Sequence, residues 1–165
     1  MFQLKPLPRE AIPKALEKAD RYRLLNEPAE AESICMDVLA ADPENQNALV
    51  TLILALTDQF GQSHFSMGEG RCEEFVARLR DPYQNAYYSG VVCERRGKTA
   101  FHGPMGGSSA YEWFQDAMRH YEKAEAIRPP GNYDAVLRWN TCGRIMKHNA
   151  NLQPQQEERF EPLLE

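Results

Sequence analysis

The stretch ALEKADRYRLLNEPAEAESICMDVLAADP, residues 15–43, decides how the rest of the chain is read. Ala15, Leu16, Ala19 and Tyr22, with Ile12 before them, recur at three- and four-residue spacing, the mark of one buried stripe on a helix. Asn26-Glu27-Pro28 breaks that helix. Proline is tolerated in a first turn, so Pro28 opens a second helix running to about Ala41, and Asp42-Pro43 turns the chain again. In this second helix Ala31, Cys35 and Val38 precede Pro43 at intervals of four, three and five residues; Ala117, Tyr121, Ala124 and Pro129 repeat the same intervals. Two antiparallel helices approach closely only where small side chains, here Ala19 and Ala31, meet at their crossing.

Working outward, Asn45 is a capping residue for a helix from Gln46 to about Phe60. A loop at 61–68 follows, and Ser66 with Glu69 has the capping-box spacing of a helix ending near Arg80. Asp81-Pro82 turns into a helix from Tyr83 to Arg96, whose interior Gly90 calls for the close approach of a neighbouring helix. The irregular stretch 97–109 holds Gly97, Gly103, Gly106, Gly107 and Pro104 and reads as a glycine-rich insertion. Ser109 and Glu112 repeat the capping-box spacing before a long helix carrying Phe114, Ala117, Tyr121, Ala124 and Ile127. Pro129-Pro130-Gly131 stops it, and Asn132 caps a last helix to about His148. Seven helices with no strand pattern predict an all-α chain.

The alanine, aromatic and proline at these intervals resemble the second half of the tetratricopeptide repeat, a helix pair of about 34 residues. Ala19 and Tyr22 stand where that family has a small residue and then tyrosine, and Ala15 replaces its usual tryptophan. Gly90 and Gly97 match its small residue and its turn glycine. The resemblance covers 12–148 and implies a right-handed superhelical stack of about three helix pairs with a C-terminal capping helix. It gives a single domain at 1–148 and a tail at 149–165 that docks, if at all, as a short helix through Phe160, Leu163 and Leu164.

In such a stack the first helix of each pair lines a concave face. By that resemblance the face comprises Leu16, Asp20 and Arg23, then Asn47, Val50, Leu54 and Asp58, then Gln84, Tyr87, Val91 and Glu94. Family members that hold a terminal carboxylate use lysines, arginines and asparagines there; these positions are mainly apolar or acidic. The apolar row suits a peptide with apolar anchors, unless the chain's own tail or insertion fills it.

The 165 residues carry a formal net charge of -5 and 42% hydrophobic residues, which fits a folding chain and argues against a general nucleic-acid binder. The acidic surplus lies in residues 1–82, whereas 95–148 holds nine basic and five acidic residues. No signal-peptide run or membrane-length apolar stretch is present, and four cysteines without Cys-x-x-Cys spacing read as buried thiols in a reducing cytoplasm. Gly97-Lys98-Thr99 mimics the end of a nucleotide-binding loop, but Val92 stands where that loop needs glycine and no strand precedes it. What survives is an anion contact by Arg95, Arg96 and Lys98 beside the helix start at Gly106–Ser109. On the closing helix, Trp139 and Cys142 are read as packing back on the previous pair, with the arginines in solvent.

No metal, cofactor or catalytic grouping is legible among His64, His102, His120 and His148. The expected function is a protein-interaction module — adaptor, scaffold or dedicated chaperone — binding a protein or peptide segment in the concave groove. A self-associating structural subunit is the alternative, and an RNA-binding repeat using the basic 95–148 segment a remoter one.

Overall fold

Local chemistry sets the first elements. The computed structural model describes residues 1–62, 70–103 and 106–154. A short 3-10 turn, Arg9–Ala11, leads into α1 (Ile12–Leu24), which has Pro13 in its first turn. Asn26 takes a positive φ of 60°, a conformation asparagine tolerates, and Pro28 then begins α2 (Pro28–Ala41). Asn45 caps α3 (Gln46–Asp58), its side-chain oxygen accepting from the Ala48 N–H at 2.9 Å. Asp81 caps α5 (Pro82–Phe101) by accepting from the Tyr83 N–H at 3.1 Å.

Between these lies α4 (Cys72–Ala77), only six residues long. The expected helix to Arg80 stops short because the chain after Ala77 is tied elsewhere. Gln46 accepts from the Arg80 N–H at 2.9 Å, and Asn85 donates to the Val76 carbonyl at 2.9 Å. The expected capping box at Ser66 and Glu69 lies outside the described residues.

The largest departure from the sequence reading is the 97–109 insertion. Residues 97–101 continue α5, and α6 (Gly106–Ala126) begins before Ser109, which sits inside the helix instead of capping it. Gly90 and Gly97, two turns apart on α5, face Tyr121 and Phe114, two turns apart on α6. A Cβ at Gly90 would lie 2.5 Å from the Tyr121 ring, and one at Gly97 would lie 3.1 Å from Phe114. Gly97 is therefore a packing hole and not a turn glycine. Ala110, Ala117 and Ala124, all fully buried, complete the stripe on α6. The result is a long antiparallel hairpin whose helices approach through missing side chains.

α7 (Asp134–His148) closes the chain. It starts one residue later than read, with the Asn132 side chain still accepting from the Asp134 N–H at 3.0 Å. Leu152 then returns into the core, and the Asn151 carbonyl lies so close over Gly107 that a Cβ there would be 2.2 Å away. Phe160, Leu163 and Leu164 lie outside the described residues.

The fold is all-α; no strand occurs among the described residues. Each helix from α1 to α7 packs on the next, and α1, α3 and α5 also touch in turn. One core is built by α1 to α4 with Val92 of α5, and Leu49, Leu52 and Ile53 of α3 are fully buried in it. The other, built by α5 to α7, centres on Phe114 and Tyr121. Leu54 and Tyr88 pack at the junction. All four cysteines are free, and burial, reinforced by Asp20, pushes the Cys35 thiol up to about 12. No described helix is long and apolar enough to cross a membrane.

Candidate functional site

The helices α1 and α3 leave an open groove of about 440 Å³ between them. On α1, Leu16 and Asp20 stand one turn apart on one face, with Glu17 beside them; on α3, Val50 and Leu54 do the same, with Asn47 nearer the helix start. Leu16, Val50 and Leu54 are half-buried and form the floor. Asp20, on the rim, accepts a hydrogen bond from the Thr51 hydroxyl at 3.3 Å. Five of the residues expected on a concave face therefore share one depression: Leu16, Asp20, Asn47, Val50 and Leu54.

Arg23 and Asp58 do not line this groove but pair with each other. Arg23 donates from Nε to Asp58 Oδ2 at 2.8 Å, and the Arg95 guanidinium stands 3.4 Å from the other carboxylate oxygen. One aspartate thus ties α1 and α5 to α3. On α5, Gln84 and Tyr87 are half-buried. Tyr87 stacks on Tyr83 with ring centroids 5.8 Å apart and meets Tyr88 edge-on at 5.0 Å.

Val91 and Glu94 are not on an open face. Both are fully buried, because contact with α6 along the line of Gly90 and Gly97 fixes the rotation of α5 and turns them inward. Glu94 sits in a closed polar site. The Tyr121 hydroxyl donates to Oε2 at 2.6 Å, while Lys98 Nζ at 2.5 Å and Arg138 Nη1 at 3.2 Å donate to Oε1. Burial pushes this carboxyl up, but the hydrogen bonds from Lys98 and Tyr121 and the charges of Lys98 and Arg138 outweigh it, so the group is held below its ordinary value. Burial and the adjacent Glu94 charge push the Tyr121 phenol far up. A carboxylate held ionised and a phenol held neutral form a fixed structural lock.

This lock corrects the reading of the closing helix. Trp139 does pack back, donating from Nε1 to Glu122 at 3.1 Å, and Cys142 is buried. Arg138, expected in solvent, reaches inward to Glu94. The lock escaped the sequence reading, although its signal was present: a lone carboxylate among Gly90, Val91, Val92 and Gly97, with Lys98 one turn on.

The expected anion contact is not assembled either. Arg95, Arg96 and Lys98 pair with Asp58, Glu73 and Glu94 respectively, the second at 2.6 Å. Arg95 and Lys98 face an open cleft of about 530 Å³ beyond the end of α3, whereas Arg96 lies on another side, over the Trp113 ring at 5.0 Å. The start of α6 carries the Asn151 carbonyl against Gly107.

Compared with protein-family models, with curated proteins and with solved structures, the chain finds no match.

Proposed function

We propose that the chain is a protein-interaction module: three tetratricopeptide-like helix pairs, α1/α2, α3/α4 and α5/α6, closed by α7, binding a segment of another protein on the face of α1 and α3. Two features support the repeat architecture. Every helix packs on its sequence neighbour while α3 also contacts both α1 and α5, the adjacency expected when the first helix of each pair lines a common side. Ala19 and Ala31 are fully buried in the first pair, and Gly90 stands at a close approach in the third.

The observation that carries the binding role is the open groove with its apolar floor of Leu16, Val50 and Leu54. A half-exposed aliphatic row in a concavity is the surface into which a peptide inserts apolar anchors. The binding face is shorter than the sequence implied, since Val91 and Glu94 belong to the interior. The test is selection of peptides from a random library on the native protein, counter-selected on a Val50→Gln variant whose circular dichroism is unchanged. Enriched peptides that the variant no longer binds support the role. Failure to enrich any, or equal binding by the variant, sinks it.

A self-associating subunit is the second reading. It is favoured by Tyr133 and Leu137, one turn apart where α7 begins and both more than half exposed. A mass that stays monomeric as concentration rises removes it.

A further inference from the structure

Resting on the groove reading above, we propose that the segment bound between α1 and α3 is basic and amphipathic: an apolar anchor with lysine or arginine within a turn of it. The groove's charge is one-sided. Glu17 and Asp20 stand on its rim, and among the described residues no lysine or arginine lines it. Lys14 and Arg21 stand within a turn of Glu17 on α1 but do not line the groove, and Arg23 is engaged by Asp58 at 2.8 Å. Among the described residues neither Glu17 nor Asp20 makes an ion pair, while nine other pairs form elsewhere in the chain. The Thr51 hydroxyl holds the Asp20 carboxylate beside the apolar floor. A cation above Leu16, Val50 and Leu54 would therefore meet two carboxylates not engaged in an ion pair, next to low-dielectric surface, where their attraction is screened less than in open water.

The same charges disfavour the chain's own tail as occupant. Residues 155–165 carry Glu157, Glu158, Glu161 and Glu165 against Arg159 alone, so their leucines would arrive with like charge.

The test uses two fluorescent synthetic peptides with one leucine pattern, the polar positions lysine in one and glutamate in the other. Their binding to the full chain is followed by anisotropy at low and physiological salt. The lysine peptide is expected to bind about tenfold more tightly at low salt, with the preference shrinking as salt rises. A Glu17→Gln, Asp20→Asn double variant should lose the preference. A Glu30→Gln, Asp37→Asn variant, altered at two exposed carboxylates of α2, should keep it. A preference surviving the first double variant means general attraction to an acidic protein and overturns the proposal. Equal binding of both peptides, lost on Val50→Gln, leaves the groove as a binding site but overturns its basic selectivity. Binding of neither overturns the groove reading and this proposal with it. A dimer that Val50→Gln dissociates assigns the groove to a second copy, which also overturns it.

Discussion

The two cores of this chain solve the same packing problem with different materials. In α1 to α4 the small residues Ala19 and Ala31 are fully buried, and the interior is filled by the aliphatic chains of α3. In α5 to α7 a close approach is made by glycines lying under aromatic rings, and the interior holds a carboxylate with two cations and a phenol around it. An aliphatic core tolerates repacking when volume is kept. A ring seated on a glycine and anchored by its hydroxyl has one acceptable position. The second core should therefore be the more specified and the less forgiving.

The sharpest break of that contrast is Glu94→Ala. Removing one member of a buried ionic group costs about 3–5 kcal/mol, and the lower end applies here because Arg138 and Lys98 each keep part of their surface in water. Urea unfolding should show a loss of about 3 kcal/mol; a loss under 1 would mean that the lock contributes little. The pH dependence sharpens the same point. The folded-state pKa of Glu94 is depressed, so its contribution is fully present above the unfolded value of about 4.5 and is lost as pH falls through the folded value. Glu94→Gln should flatten the acid limb of the stability curve, and an unchanged limb would place that dependence on other carboxylates.

Next in size come the two glycines. At Gly90 a methyl group would stand 2.5 Å from a ring that cannot retreat without breaking its bond to Glu94. Overpacking of this kind costs about 1–3 kcal/mol, more than the roughly 1 kcal/mol that alanine gains by helix propensity. Gly97→Ala meets the Phe114 ring at 3.1 Å, and that ring has no polar anchor, so strain and propensity should nearly cancel. Thermal unfolding should thus rank Gly90→Ala below Gly97→Ala, with Gly97→Ala near the parent; the reverse order would show that the Tyr121 anchor does not hold.

These glycines also mark how far the sequence was legible. Turns and caps were readable where one residue type has one local job: Pro28 in a first turn, Asn45 as a cap, Pro82 marking the turn into α5. The close packing at Gly90 was expected from its place inside a helical run. Gly97 was misread because turns and close approaches both select glycine, and the glycines at 103, 106 and 107 made the stretch read as an insertion. Only Phe114, distant in sequence, decides between the two. Glu94 was misplaced for a related reason. Its partners Tyr121 and Arg138 come from two other helices, and periodicity within α5 says nothing about which way that helix is rotated. The five groove residues on α1 and α3 were placed by the tetratricopeptide resemblance, and they meet because α1 and α3 are uninterrupted helices in contact with each other.

The smallest effect concerns the seam between the cores. Asp58 receives Arg23 from α1 and Arg95 from α5, and all three keep part of their side chains in solvent. Exposed pairs contribute about 0–1 kcal/mol each and weaken with salt. Asp58→Ala should therefore cost about 1 kcal/mol at low salt and less at high salt, in contrast to the salt-insensitive loss at Glu94. A double-mutant cycle between Arg23→Met and Arg95→Met separates two roles for this aspartate. Non-additive losses mean that the two arginines act through Asp58 as one clasp joining the first helix pair to the third. Additive losses mean that each merely neutralises a charge, and that the cores are held together by Leu54 and Tyr88 packing at their junction.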